Sequence, residues 1–330
     1  MSTVTVALDE IEAVSRQALV KHDAAVWIAE HVAHAVRTAE ANRNIICGLY
    51  YLESYCIQLA SGRVDGNVEP LITKPRTAII QANARMGFAQ PAFARGLPEA
   101  LKLLKDTGTC TLAVSHAHTC TSLGYFTEQI ALAGAIGIGF ANASAVVSPP
   151  GGSKAVLGTN PMAMAIPAKR GGVTFQFDQS TSAVALGKIT QAAAADESIP
   201  LGWAVDSRGK PTTDPKAALE GSLLSTGGYK GYGFGLMVEV LAAAVTGSVN
   251  SVNVKGLKLA DGPPHDLGQY YFLVDPTAIS GDSFWDRMTI LGNSVDAQEN
   301  ARLPGSKRQP VDEVTINAEL WALAQSLAAV

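Results

Sequence analysis

The sequence predicts an α/β protein, of the α+β kind, with helices toward both ends and strands gathered in the middle. Three observations carry this. Apolar residues recur at helical spacing from Leu8 to Ala39, the pattern turns at Thr111 to short strands divided by glycine turns, and no Gly-x-Gly-x-x-Gly follows any strand. The last removes the usual sequence support for a Rossmann domain.

Each element has a local reason. Val14, Ala18, Val26, Ala29, Val32 and Val36 lie on helical faces, and Lys21-His22-Asp23 divides the run into two helices. His31 and His34 stand one turn apart there, but no further ligand lies nearby, so they read as satisfied or solvated histidines. Leu49 to Ser61 forms another helix with Gly62 after its end, Arg63 to Ala84 holds short β segments interrupted by Pro70 and Pro75, and Pro91 to Lys105 returns to helix. Strands are expected at Leu112 to Val114, Ile136 to Ala141, Ala163 to Ile166, Val173 to Phe177 and Gln269 to Val274. Gly209 to Pro215 is a turn cluster before a short helix, and Gly231 to Thr246 is a helix ending at Gly247. Helices at Phe284 to Ser294 and Val311 to Ala329 flank the turn Leu303-Pro304-Gly305.

Composition narrows the partners. A chain of 330 residues forms one large or two ordinary domains. Charged residues are 16% and the net charge is −4, so no basic field is present to hold nucleic acid or an anionic bilayer. The uncharged stretch Ile130 to Val147 approaches a membrane span in length, but Gly134, Gly137, Gly139, Asn142 and Ser144 make it a helix end entering a buried strand. Asp9, Glu10 and Glu12 are unlike a secretory leader, so a cytoplasmic protein is expected and the sequon at Asn142 carries no weight. Cys47, Cys56, Cys110 and Cys120 lack metal-site spacing and read as reduced thiols, with no metal expected.

Three turns rich in glycine and hydroxyl groups follow one another: Gly158-Thr159-Asn160-Pro161, Phe177 to Ser182, and Gly227-Gly228-Tyr229-Lys230-Gly231-Tyr232-Gly233. Glycine allows close approach of backbone N–H groups, hydroxyls add donors, and Lys230 adds charge in the first turn of a helix, so an anionic ligand is expected. Neither a P-loop, a nucleophile elbow nor a His-Glu-x-x-His motif is present.

In order and wording these turns, with Ser115 to Phe126, Pro149 to Pro167, Phe177 to Ile189, Gly227 to Gly247 and Arg302 to Arg308, resemble the type 2 malate/lactate dehydrogenase family. The resemblance implies a non-Rossmann NAD(P)-binding domain, residues 116–284, on a mixed, largely antiparallel sheet. A discontinuous helical domain, residues 1–115 and 285–330, would carry substrate-side residues and the contact of a homodimer. Leu123 to Phe126, Gly262 to His265 and the Arg302 to Arg308 tail are most similar to members that reduce Δ1-pyrroline-2-carboxylate and Δ1-piperideine-2-carboxylate.

The resemblance places His118, Thr119, Cys120, Thr121, Ser122, Phe177, Asp178, Gln179, Tyr229, Lys230, Pro304, Gly305, Ser306, Lys307 and Arg308 around the cofactor. Lys307 and Arg308 are suited to a ribose 2′-phosphate, which favours NADPH with NADH possible, or else form an exposed basic turn. Thr159 matches a substrate-contacting position, in a setting that also makes an ordinary turn. The family's proton-donating Ser-His-Gly segment and the arginine four residues after its histidine correspond here to Ile46-Cys47-Gly48 and Tyr51. Lys188 stands where the ketimine reductases carry an acid, and Gly187-Lys188-Ile189 resembles the hydroxy-acid branch instead.

Cys47, with an ordinary thiol pKa of about 8.5, His118 and Lys188 are therefore the candidate proton donors, and Tyr51 a substrate contact. Each also has a structural reading, as an inert thiol, a cofactor-holding histidine and a strand-capping lysine. The implied function is an NAD(P)H-dependent reductase of a small cyclic imino acid, whose nitrogen arrives already protonated. A 2-hydroxy acid dehydrogenase acting on keto acids and a catalytically silent cofactor-binding protein are the alternatives.

Overall fold

The computed structural model describes residues 2–118, 121–306 and 311–329. The chain opens with Thr3–Ala7 (β1), Leu8–Lys21 (α1), Val26–Ala41 (α2) and, after two 3-10 turns at Ile45–Cys47 and Leu49–Tyr51, Leu52–Ala60 (α3). It continues through Leu71–Arg76 (β2), Ile79–Asn83 (β3), Ala89–Thr107 (α4), Thr109–Ala117 (β4), Leu123–Leu132 (α5), Ile136–Ala141 (β5), Met162–Pro167 (β6) and Val173–Gln179 (β7). Leu186–Ala195 (α6), Ala204–Val205 (β8), Pro211–Thr212 (β9), Pro215–Glu220 (α7) and Ser222–Leu223 (β10) precede Tyr229–Glu239 (α8), which runs into a π turn at Val240–Ala244. Leu267–Val274 (β11), Ser283–Asp296 (α9), Glu313–Asn317 (β12) and Ala318–Ala328 (α10) complete it.

The main sheet has seven strands in the order β2-β3-β4-β11-β5-β6-β7. Only β3 and β4 pair in parallel, so the sheet is mixed and largely antiparallel, unlike a doubly wound nucleotide fold. Its strands β2 to β4 come from residues 71–117, so the sheet runs across the 115/116 boundary expected between helical and cofactor domains. The reason is that β4 alternates almost no polar residue over Cys110 to Val114, which suits a central strand covered by α4 and α5.

β1 and β12 pair antiparallel, Thr3 against Asn317, and tie the two ends of the chain together. Ile11, Leu19, Ile28, Val32, Leu52, Tyr55 and Trp321 form one core beneath them. Each such fully buried side chain contributes about 1.5–3 kcal/mol of transfer free energy. The expected helix Val311 to Ala329 is thus a strand followed by a helix: Val314 and Ile316 alternate with polar neighbours, and Asn317 caps α10 by accepting from the N–H groups of Glu319 and Leu320. A third, smaller unit packs β8 to β10, α6 and α7 around Val147, Ile189, Ile199 and Leu223. Among the described residues no helix is long and apolar enough to cross a membrane.

Candidate functional site

The three glycine and hydroxyl-rich turns meet in space. Thr181 donates its N–H to the Thr159 carbonyl at 2.9 Å and its Oγ1 to the Asn160 carbonyl at 3.2 Å, and Thr226 donates its N–H to the Thr181 carbonyl at 2.9 Å. The Asn160 amide, buried, donates to the Gly235 carbonyl at 3.1 Å and to Glu239 at 2.9 Å. Glu239 also accepts from Asn250 and from the N–H and hydroxyl of Ser251, so a buried carboxylate locks the Gly-Thr-Asn-Pro turn onto α8. Thr159 is left half-buried at the rim of this cluster.

The N-terminus of α8 is open beside it. Gly227 and Gly228 have φ of +61° and +64°, and no atom lies within 4 Å of where either would carry a Cβ. They line a cavity of about 380 Å³ with Ser225, Thr226 and Trp203. Tyr229 and Lys230 are exposed in the first turn, where helix N–H groups favour an anion.

A second cluster forms at the start of α5. Asp178 Oδ2 accepts from the Ser122 hydroxyl at 2.6 Å and from the Gly124 N–H at 2.8 Å. Gln176, two residues away on β7, donates its side chain to the Gly124 carbonyl and its N–H to the Pro304 carbonyl at 2.9 Å. A Cβ on Gly305 would lie 3.0 Å from the Gln176 carbonyl oxygen, so glycine permits this approach. Segments 121–122, 176–179 and 304–306 are therefore contiguous, with Phe177 half-buried, Gln179 exposed and the Ser306 hydroxyl turned onto the Leu303 carbonyl. Thr119, Cys120, Lys307 and Arg308 lie outside the described residues.

Cys47 adjoins this second cluster, for its carbonyl accepts from Thr121 Oγ1 at 2.7 Å. Burial, with the Asp178 carboxylate nearby, pushes its thiol up to about 12. The expectation of a thiol titrating near 8.5 is therefore corrected: Cys47 stays protonated through neutrality and is a weak acid. The turn that carries it needs glycine next, since a Cβ on Gly48 would lie 2.1 Å from Glu40 Oε1. Glu40 is itself buried, accepts from the Leu49 N–H at 2.8 Å, and has its pKa raised by burial.

Tyr51 is half-buried, stacked on Tyr55 at 5.8 Å and edge-on to Tyr50. Lys258 lies above this pair, its Nζ 3.5 Å from the Tyr50 ring centre and 5.4 Å from that of Tyr51.

His118 is placed differently from expectation. It is 1% exposed, walled by Tyr55, Phe88 and a parallel His265 ring 3.8 Å away. Neither ring nitrogen has a hydrogen-bond partner among the described residues. Burial, then His265 and Arg63, hold its pKa well below the usual range, so it carries no proton to give as an imidazolium. His116, at φ +52°, pairs with Asp266 at 2.8 Å. Lys188 is exposed on the first turn of α6 and caps no strand; its neighbour Gly187 is the nearer to the Cys47 turn, 3.7 Å from the Ile46 side chain when given a Cβ.

Two residues stand outside the expected site set, though His265 closes the Gly262 to His265 run noted in the sequence. Arg63 is buried with its guanidinium donating to the carbonyls of Gly256, Leu259 and Pro263, and His265 is stacked on His118. Their partners lie roughly two hundred and one hundred and fifty positions away, which no local pattern reports.

Residues 6–318 match the malate/L-lactate dehydrogenase family. The chain belongs to this family. It is 35% identical over 303 residues to the (2R)-3-sulfolactate dehydrogenase (NADP(+)) of Chromohalobacter salexigens, covering 92% of this chain and 90% of that one. It is 32% identical over 311 residues to a Δ1-pyrroline-2-carboxylate reductase of Burkholderia ambifaria, covering 93% and 91%. The crystal structure of the Δ1-piperideine-2-carboxylate reductase of Pseudomonas syringae superposes with a TM-score of 0.89 at 29% identity, over 98% of this chain and 99% of the other.

A nicotinamide dinucleotide of the kind this dehydrogenase family uses fits the residues present. The α8 N-terminus, with open space at two left-handed glycines and Lys230 beside it, has the donors and charge for a phosphate. The Ser122, Asp178 and Pro304 cluster forms a second wall joined to the first through the continuous segment 178–182.

Proposed function

We propose that this member of the malate/L-lactate dehydrogenase family reduces a small cyclic 2-imino acid, of the Δ1-pyrroline-2-carboxylate or Δ1-piperideine-2-carboxylate class, to the L-amino acid. NADPH, with NADH as the alternative, supplies the hydride when bound. The observation that carries this reading is the Cys47 turn, where a thiol that is a very weak acid stands in the place of the family's proton-donating histidine. Burial pushes that thiol up to about 12 and holds His118 neutral, so neither gives a proton readily, and the Glu40 carboxyl is engaged by the Leu49 N–H. A ketone needs a proton delivered to its oxygen as hydride arrives. A cyclic imine brings its proton on nitrogen, so such a site suffices for it. The reductases among the relatives support the same substrate class.

In this reading Ser122, Asp178 and the Pro304 to Ser306 turn hold one part of the cofactor, and Tyr229 and Lys230 hold its phosphates. Thr159, Tyr51 and Cys47 face the substrate. The functional unit is a homodimer, supported by the exposed apolar side chains Phe234, Leu236, Met237, Val240 and Val245 on and after α8. Sedimentation equilibrium checks that point, a single monomer-sized species counting against it.

A 2-hydroxy acid dehydrogenase is the second reading, favoured by the sulfolactate dehydrogenase relative and by Gly187-Lys188-Ile189. NADPH and NADH oxidation against Δ1-pyrroline-2-carboxylate, Δ1-piperideine-2-carboxylate, pyruvate, oxaloacetate and 3-sulfopyruvate separates them. Turnover confined to the ketimines is expected. Turnover of the keto acids alone overturns the reading, and cofactor binding without turnover of any of them points to a silent binding protein.

A further inference from the structure

We propose that Lys258 is the cation that receives the substrate carboxylate, an inference that rests on the reading of the Cys47 turn as the substrate side of the site. Any 2-imino or 2-keto acid brings a carboxylate that must be neutralised and oriented. Around Cys47 the chain offers Tyr51, which has no charge, and the buried Arg63 guanidinium is committed to the carbonyls of Gly256, Leu259 and Pro263.

Lys258 reaches this place from a loop far along the chain. Its ammonium sits 3.5 Å from the Tyr50 ring centre and 5.4 Å from that of Tyr51, and it donates to the Tyr50 carbonyl at 3.3 Å. No carboxylate pairs with it among the described residues, so its charge is unspent. The two residues flanking it are pinned: the buried Gln58 amide donates to the carbonyls of Leu257 at 2.8 Å and Leu259 at 2.7 Å. Arg63 and Ser61 fasten the same loop through the carbonyls of Gly256, Leu259, Pro263 and Ala260. Gln58 lies on α3, the helix that begins directly after Tyr51, so one rigid element sets both the tyrosine face and the lysine over it.

The aromatic faces of Tyr50 and Tyr51 hold the ammonium from one side and leave its remaining N–H donors toward solvent. A ring carboxylate entering beside Tyr51 meets a point charge rather than a bidentate fork. Lys258 thus replaces an arginine in charge but not in planar geometry, which predicts tolerance of both five- and six-membered rings. Lys188, the other candidate cation, has no described contact with either tyrosine.

The test measures binding, so that it does not depend on turnover. Pyrrole-2-carboxylate, a planar ring with the same carboxylate, and its neutral counterpart pyrrole-2-carboxamide are titrated calorimetrically into the full protein with NADP+ present. Lys258→Met is expected to weaken the carboxylate by about tenfold to a hundredfold while leaving the carboxamide unchanged. Lys258→Arg should restore most of the affinity, and Lys255→Met, in the same exposed loop, should bind as the parent. Equal binding of carboxylate by parent and Lys258→Met, equal loss of both ligands, no preference of the parent for the carboxylate, or a loss in Lys188→Met in place of Lys258→Met each overturns the assignment. Failure of ketimine turnover in the substrate panel strikes the reductase reading and leaves this binding result intact.

Discussion

The two sides of the site are built by opposite means. On the cofactor side, glycines and hydroxyls are satisfied by short hydrogen bonds: Thr181 to Thr159, Thr226 to Thr181, and Ser122 and Gly124 to Asp178. On the proposed substrate side, the titratable groups Glu40, Cys47, His118 and His265 are all moved by burial toward their neutral forms. One side is a network of satisfied hydrogen bonds around an open helix N-terminus, and the other is a wall of buried groups in their neutral forms. The difference supports the proposed reading, in which the chain keeps the binding half of a hydride-transfer site while leaving protonation to the substrate.

The largest break in that contrast is expected at Gly231. A Cβ there would lie 1.7 Å from the carbonyl oxygen of Thr226, the residue whose N–H donates to the Thr181 carbonyl. Gly231→Ala should cost about 1–3 kcal/mol in urea unfolding and abolish NADPH binding by fluorescence titration. A stable variant with normal cofactor affinity would mean that the α8 N-terminus is not the anion cradle.

Next is the acid sensitivity of the buried wall. Burial, aided by Arg63, holds His265 down at about 3, so the folded state excludes a proton that the unfolded chain binds below about 6.5. Stability from this group is complete above pH 6.5 and is lost as pH falls toward 3, with His118 acting in the same direction. Glu40 has the opposite sign: its raised pKa makes stability fall as pH rises above its ordinary value of 4.5. Thermal melting from pH 4 to 8 should show a steep acid loss, reduced in His265→Phe. Glu40→Gln, which keeps an acceptor for the Leu49 N–H, should flatten the decline on the alkaline side. A parent protein whose melting point is level across this range contradicts the buried neutral pair.

Asp178 joins the two sides, so its removal sharpens the comparison. Asp178→Ala leaves the Ser122 hydroxyl and Gly124 N–H without their acceptor, at about 1–3 kcal/mol in stability. It should also weaken NADPH by roughly tenfold and lower the Cys47 pKa, since a neighbouring negative charge is gone. Iodoacetamide labelling of Cys47 against pH reads the last effect. Unchanged labelling and cofactor affinity would detach Asp178 from both clusters.

How much of this was legible in the sequence follows the range of each interaction. The α1 and α2 helices, the strands β5 to β7 and the three turns are local patterns of period and glycine placement, and they appear where they were expected. β1 and β12 were missed because Thr3 to Ala7 and Glu313 to Asn317 become strands only through pairing three hundred residues apart. The Cys47 turn was visible as a departure from the family's Ser-His-Gly. The environment that sets its acidity was not, because burial and the Asp178 carboxylate, brought in from a distant segment, raise its pKa. Lys188 and His118 are candidates by residue type, and the structure exposes the first on α6 and buries the second beside His265.

The smallest expected effect is at Cys47 itself. A thiol at about 12 does not titrate between pH 7 and 10, so the pH profile of ketimine reduction should show no limb belonging to it. Cys47→Ser keeps a neutral donor of similar size, and kcat should change by less than about fivefold with the profile unchanged in shape. Cys47→Ala removes the donor and fills less of the wall, so a somewhat larger fall with unaltered KM is expected. If instead the parent shows an alkaline limb that vanishes in Cys47→Ser, the thiol is a working acid. The proposed substrate side would then not be a wall of neutral groups, and the case for a substrate that arrives protonated would lose its physical ground.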